Sequence, residues 1–247
     1  MSPRGWALVT GARERLGRAL AISAAQAGYD VVVHAREAAS AEVTAREIEG
    51  LGRGARVAGG DLSDPDVCRN LIGEVPGPLR LLVNSASLFD LDEAATATPA
   101  GLDAANAVNL RAPILLAQGF AARLAAEDHG LVVNLIDQKI LRLDPRFFSY
   151  TVAKAALWAA TRMMAQAFAP RVRVNAIGPG PTLPSIHQTE ESFAAEAAGS
   201  LLGEPVGVDQ IQLALRYLID ARAVTGQMIA VDSGQHLGWR TPDVVEP

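Results

Sequence analysis

At 247 residues the chain has room for one large α/β domain or two small ones. Its residues are 49% hydrophobic but only 5% aromatic, so the core must be built mainly from Ala, Val, Leu and Ile, and a net charge of −5 argues against general binding to nucleic acid or an anionic membrane. The single cysteine, Cys68, excludes an internal disulfide or a multi-cysteine metal site.

In chain order, the strand-like "GWALVTGA" precedes "RLGRALAISAAQAGY", where apolar residues recur at helical spacing and Gly28 marks the stop. The N-terminal stretch is too short in apolar length for a signal peptide. "DVVVHAR" reads as a buried strand and "SAEVTAREIEGLG" as a helix. "ARVAGGDL", "DPDVCRNLIGEV" and "LRLLVNSAS" continue the alternation, followed by "NLRAPILLAQGFAARLAAE", "GLVVNLID", "SYTVAKAALWAATRMMAQAFA", "VRVNAIGPG" and "MIAVDSG". No segment approaches the ~20 apolar residues of a membrane span. Seven strand candidates, most separated by helices, predict one domain over 1–247: a doubly wound parallel sheet with helices on both faces. The apolar runs are continuous rather than alternating, as a sheet covered on both sides requires. Ligands of such sheets bind beyond the carboxyl ends of the strands.

The turn after the first strand, Thr10-Gly11-Ala12-Arg13-Glu14-Arg15-Leu16-Gly17, has the form of a phosphate loop. Gly11 suits a tight turn, and Gly17 lets the next helix pack close with its N-terminus toward a pyrophosphate. The second strand ends at His34, Ala35 and Arg36, all three expected to contact the cofactor, with no acidic residue at its tip, although Glu37 follows. A carboxylate there would accept from a ribose 2′-hydroxyl and repel a 2′-phosphate. Its absence beside Arg13, Arg15 and Arg36 points to NADP(H) as the cofactor.

Asp137 ends the apolar run "GLVVNLID", and Tyr150 and Lys154 follow one helical turn apart. An ammonium near a phenol is expected to lower the tyrosine pKa from ~10 toward neutrality. Lysine can hold ribose hydroxyls while tyrosine exchanges a proton with substrate. His129, His187 and His236 show no metal spacing, and no metal is expected.

These stretches, "TGARERLG", "GDLSD", "VNSAS", "NLRAP", "YTVAK", "RVNAIGPG" and "TGQMIAVDSG", resemble the short-chain dehydrogenase/reductase family over nearly the whole chain. The resemblance implies a Rossmann-type oxidoreductase with an Asn-Ser-Tyr-Lys tetrad. Asn109, Tyr150 and Lys154 match, with Asn109 implied to hold a water in a relay to the lysine. Asp137 stands where the family has serine, and Arg15 replaces the middle glycine of TGxxxGxG. It also implies cofactor contacts from Leu16, Asp61, Leu62, Asn84, Ser85, Ala86, Pro179 and Gly180, besides Tyr150 and Lys154. The departures, with His34, "NSASLF" and "SGQHLG", resemble pteridine reductases and dihydromonapterin reductases. In that subgroup the aspartate contacts the pterin, and an aromatic matched by Phe89, with Ser87 preceding it, lines the substrate face.

The reading is hydride transfer from NADPH to a pterin, dihydropterin to tetrahydropterin, in a cytoplasmic homotetramer. The alternatives are a carbonyl reductase acting on a 3-oxoacyl or sugar-like ketone, and a non-catalytic NADP-binding regulator. "PTLPSIHQTEESFAAEA" is expected to be a mobile substrate loop, Trp239 to be core or interface, and the tail beyond Gly238 to be able to reach a neighbouring active site.

Overall fold

The computed structural model describes residues 4–239. Its strands are β1 (Trp6–Val9), β2 (Asp30–Ala35), β3 (Ala55–Gly59), β4 (Leu79–Asn84), β5 (Gly130–Leu135), β6 (Val172–Pro179) and β7 (Met228–Val231). They form one parallel sheet in the order β3-β2-β1-β4-β5-β6-β7. β1 pairs with β2 on one side and β4 on the other, so successive crossovers leave it in opposite directions. That reversal opens a cleft at the carboxyl ends of β1 and β4.

The helices are α1 (Arg15–Gln26), α2 (Glu42–Gly50), α3 (Pro65–Gly73), α4 (Pro99–Asn106), α5 (Ala112–Arg123), α6 (Phe148–Phe168), α7 (Glu190–Ala198) and α8 (Val208–Asp220). Alternate strand residues face opposite layers. Ala7, Val9, Val31, Val33, Leu81 and Val83 pack with Leu20 and Ala24 of α1, Ile48 of α2, and Ile211, Leu215 and Leu218 of α8. Leu8, Val32, Leu82, Val132 and Val174 pack with Leu71 of α3, Leu116 and Phe120 of α5, and Met164 of α6. Each fully buried aliphatic side chain contributes about 1.5–3 kcal/mol, so the two apolar layers, rather than loop contacts, hold the sheet.

All seven expected strands are present, and the observed fold is the expected single-domain Rossmann-type sheet. Three helices lie where the sequence reading assigns none: α4, α7 and α8. The segment expected to be mobile contains α7, whose start is fixed by a reciprocal Thr189–Ser192 capping box. No helix of the described residues is long and apolar enough to cross a membrane. From residue 240 onward, the tail invoked above lies outside the described residues.

Candidate active site

The phosphate loop is built backbone against backbone. Gly11 has φ +63°, and a Cβ on it would lie 2.7 Å from Cα of Ala86. A Cβ on Gly17 would lie 2.0 Å from the carbonyl oxygen of Gly11, so only glycine lets α1 begin against its own loop. Thr10 Oγ1 accepts from the amides of Ser85 (3.0 Å) and Ala86 (3.1 Å), tying the ends of β1 and β4 together. Glu14 precedes α1 without making a side-chain cap, leaving that helix's first-turn amides for an anion. Asn84 donates to Asn134 Oδ1 at 2.8 Å, but its own buried Oδ1 has no partner. An uncapped helix start, a glycine-lined cradle and an orphaned acceptor at the end of β4 together fit a dinucleotide.

The basic residues assigned to this end do different things. His34 is buried; its Nδ1 accepts from the Gly11 amide at 3.4 Å and its Nε2 donates to the Gly60 carbonyl at 3.0 Å. Burial pushes the imidazole pKa below its usual value, so this ring is a neutral strut under the loop. Arg36 is exposed and faces Asp61 at 3.4 Å, while Arg13 pairs with Glu14. Arg15 takes φ +53°, where the family motif has glycine, and donates to the carbonyls of Pro184 (2.8 Å) and Leu183 (3.3 Å). It therefore bridges the phosphate loop to the expected substrate loop. Ala35 and Leu62 are buried, Leu16 packs against the core, and Gly180 donates to the Val231 carbonyl at 2.9 Å just after Pro179 ends β6.

Asp137, Tyr150 and Lys154 are brought together. The Tyr150 hydroxyl donates to Asp137 Oδ2 at 2.8 Å, and Lys154 Nζ donates to the Leu135 carbonyl at 2.7 Å. The ammonium lies 5.6 Å from the centre of the Tyr150 ring. Asp137 Oδ1 accepts from the Lys139 amide at 2.8 Å, capping the short turn Gln138–Ile140. One carboxylate oxygen thus shapes the loop while the other meets the phenol. Burial raises the Asp137 pKa, outweighing the Lys139 amide and the nearby cations. Burial also lowers that of Lys154 to about 8. The expected lowering of Tyr150 does not occur: burial, and then the Asp137 charge, push its pKa well above 10. In the free protein the phenol is a firmly protonated donor.

On the substrate side, Asn109 makes three hydrogen bonds, all to the loop after β4. Its Oδ1 accepts from Ser87 Oγ (2.9 Å) and the Leu88 amide (3.0 Å), and its Nδ2 donates to the Leu88 carbonyl (2.8 Å). Its side chain therefore braces the Ser87–Phe89 segment, a role that the implied water relay does not include. Phe89 stacks on Phe147 with ring centres 4.2 Å apart and meets Tyr150 edge-on at 4.7 Å. His187 places a ring nitrogen 3.2 Å from the Phe89 carbonyl oxygen. Sequence reasoning missed Phe147, His187 and Lys139, the last of which lies 5.5 Å from the Phe147 ring centre. The doublet Phe147-Phe148 before "SYTVAK" was the available signal for the first; the others join the site through loops with no periodic pattern. Two non-glycine residues of this site, Arg15 and Phe147, sit at positive φ.

A glycine-lined phosphate loop, a parallel sheet that reverses beside it, and a Tyr-Lys pair on the following helix define a nucleotide-dependent oxidoreductase of the short-chain type. Residues 11–236 match the family model described as enoyl-(acyl carrier protein) reductase, and the chain belongs to the short-chain dehydrogenase/reductase family. Among solved structures, it is similar to FolM alternative dihydrofolate reductase 1 from Brucella canis complexed with NADP, with 42% identity, 99% of each chain covered and a TM-score of 0.94. An L-xylulose reductase of Bos taurus is 31% identical over 92% of this chain and 95% of its own. An uncharacterized oxidoreductase of Mycobacterium tuberculosis is 34% identical over 92% and 90%.

Proposed function

We propose that this protein is an NADPH-dependent reductase of a pteridine, converting a dihydropterin to its tetrahydro form. The observation that carries the reading is the Tyr150 hydroxyl bonded to Asp137 Oδ2 at 2.8 Å, directly beside the Phe89 ring. A ketone oxygen needs only hydroxyl donors. A pterin presents ring nitrogens and an amino group, which a carboxyl can serve as acceptor when ionised and as proton donor when neutral. The likeness to the Brucella FolM reductases, crystallised with NADP, supports both the cofactor and the substrate class. The likeness to L-xylulose reductases supports the rival reading of a sugar-like ketone.

Bound NADPH would supply a hydride. The loop from Gly11 to Gly17, with Leu16, would hold its pyrophosphate on the open start of α1, and Arg36 and Arg13 would face the 2′-phosphate side. Ala35, Asp61 and Leu62 would border the adenine, Asn84, Ser85 and Ala86 the middle of the dinucleotide, and Pro179 and Gly180 the nicotinamide end. Lys154 would hold ribose hydroxyls. Phe89 and Ser87 would present the flat substrate to Asp137 and Tyr150. Asp137 and Tyr150, joined by one hydrogen bond, would relay a proton to the ring nitrogen beside the reduced carbon, and burial favours that role by raising the Asp137 pKa.

The test is an NADPH-oxidation screen of dihydrobiopterin, dihydrofolate, L-xylulose and a 3-oxoacyl thioester. The dihydropterin should show the highest kcat/KM by at least about tenfold, some 1.4 kcal/mol of transition-state discrimination. A ketone that matches or exceeds it would overturn the assignment.

The same reading places the enzyme in the cytoplasm as a homotetramer. β7 is an edge strand, and the segment after it exposes Leu237 and Trp239, which suits burial against a neighbouring subunit. Light scattering at micromolar concentration should give four chains per particle; a monomer would refute that part.

A further inference from the structure

Tyr150 lies in the first turn of α6, where a helix has amides without intrahelical partners and frays most readily. The residue at the cap position, Phe147, offers no side-chain oxygen and sits in the left-handed region at φ 57°, ψ 44°. The missing acceptors come from Asp92, 57 residues away in the loop after β4. Its carbonyl accepts from the Phe148 amide at 3.2 Å, its Oδ1 from the Ser149 amide at 3.1 Å, and its Oδ2 from Ser149 Oγ at 2.5 Å.

We propose that Asp92 is a positioning residue for the reaction: by capping α6 from the β4 loop it fixes the first turn of that helix, and with it the Tyr150 phenol against Asp137. The inference rests on the role of Tyr150 argued above. Three further features point the same way. The carboxylate lies at the positive end of a 21-residue helix, where negative charge is favoured. The segment holding Asp92 also carries Phe89, which stacks on Phe147 and meets Tyr150, so one capping contact joins the substrate-facing aromatic to the proton donor. Between them, a cavity of about 100 Å³ lined by Leu88, Asp92, Thr98, Ala105, Ser149 and Tyr150 gives an uncapped first turn room to shift.

Lys154 stands one turn deeper and is held separately by the Leu135 carbonyl. Loss of the cap should therefore displace the tyrosine and spare the lysine. In the full-length enzyme, Asp92→Ala should lower kcat about 10- to 100-fold, the scale of a small misplacement of a reacting group, with the KM for NADPH within about twofold of wild type. Asp92→Asn keeps an acceptor for the Ser149 amide and should recover most of that loss. Hydrogen exchange should accelerate for peptides covering residues 148–150 and stay slow beyond Lys154. If Asp92→Ala fails to fold, Ser149→Ala removes only the hydroxyl bond and should show the same split, reduced to about threefold. A lower melting temperature with unchanged kcat, or a KM effect without a kcat effect, would make Asp92 a stabilising cap only and overturn the proposal. Turnover is read on both dihydrobiopterin and L-xylulose. If wild type reduces neither, the assigned function falls, and exchange at 148–150 alone decides: no acceleration in Asp92→Ala would then refute the positioning role.

Discussion

The two halves of the cleft proposed above, one for the cofactor and one for the substrate, are made of different material. The cofactor half, at the ends of β1, β2 and β4, is backbone on backbone: Gly17 against the Gly11 carbonyl, Gly11 against Ala86, Thr10 against two amides. The substrate half is side chain on side chain, with Asp137 on Tyr150, Phe89 on Phe147, Asn109 on Ser87 and Asp92 on Ser149. A backbone-built site tolerates almost no substitution at its contact points but leaves the rest of its surface free. A side-chain-built site can be retuned one residue at a time.

The largest expected effect lies in the substrate half. Asp137→Ser restores the common tetrad serine and removes the carboxyl that meets Tyr150. Dihydropterin turnover should fall about 10²- to 10⁴-fold while any ketone reduction is kept or gains. Unchanged pterin turnover with a lowered melting temperature would mean that the Lys139 cap, not the Tyr150 contact, is why an aspartate stands there.

Next comes the cofactor half. Gly17→Ala puts a Cβ 2.0 Å from the Gly11 carbonyl oxygen, so α1 or its loop must move. Overpacking of this kind costs about 1–3 kcal/mol, and here it falls on the loop proposed to cradle the pyrophosphate. NADPH affinity measured by fluorescence titration should drop by up to about 100-fold with the pterin KM little changed. Equal losses for both ligands would show that the two halves are not separable.

Arg36 and Arg15 sharpen the same boundary. Arg36 is exposed and its guanidinium faces Asp61, so Arg36→Ala should raise the KM for NADPH by about tenfold, the lower end for a charged hydrogen bond, and leave that for NADH nearly unchanged. Arg15 donates to Pro184 and Leu183, so Arg15→Ala should raise the KM of the pterin as well as that of NADPH. If Arg15→Ala affects only NADPH, the bridge to the substrate loop has no functional weight.

This division explains what was legible in the sequence. Glycine spacing and continuous valine and leucine runs record backbone constraints directly, so the sheet, the phosphate loop and the Tyr150–Lys154 spacing could be read. Asp92 capping α6 and His187 meeting Phe89 span 57 and 98 residues, and nothing local announces either. α8 is a different case: Ile211, Ala214, Leu215 and Leu218 repeat at helical spacing, and that signal was present to be read. α7 buries only Ala197, so its polar surface suggested mobility and only the capping box betrayed a helix. His34 was read as a cofactor contact from its place at the strand end, whereas burial makes it a strut.

The smallest effect lies where the halves meet, at Lys154, and concerns pH. Burial lowers its pKa from 10.5 to about 8, so the free enzyme loses this charge as pH rises through that value. Tyr150, pushed well above 10, does not titrate in this range, so an alkaline limb near pH 8 belongs to the lysine. The kcat/KM for NADPH, which reports the free enzyme, should be about half its plateau near pH 8 and decline beyond it. Stability should move the other way. Between about 8 and 10.5 the unfolded chain still binds a proton that the folded one has released, so this group's contribution to stability rises with pH across that window. Lys154→Met should flatten its share of that rise. A limb that appears only above pH 10 would show that the lysine keeps its proton despite burial, held by the Asp137 charge and the Leu135 carbonyl.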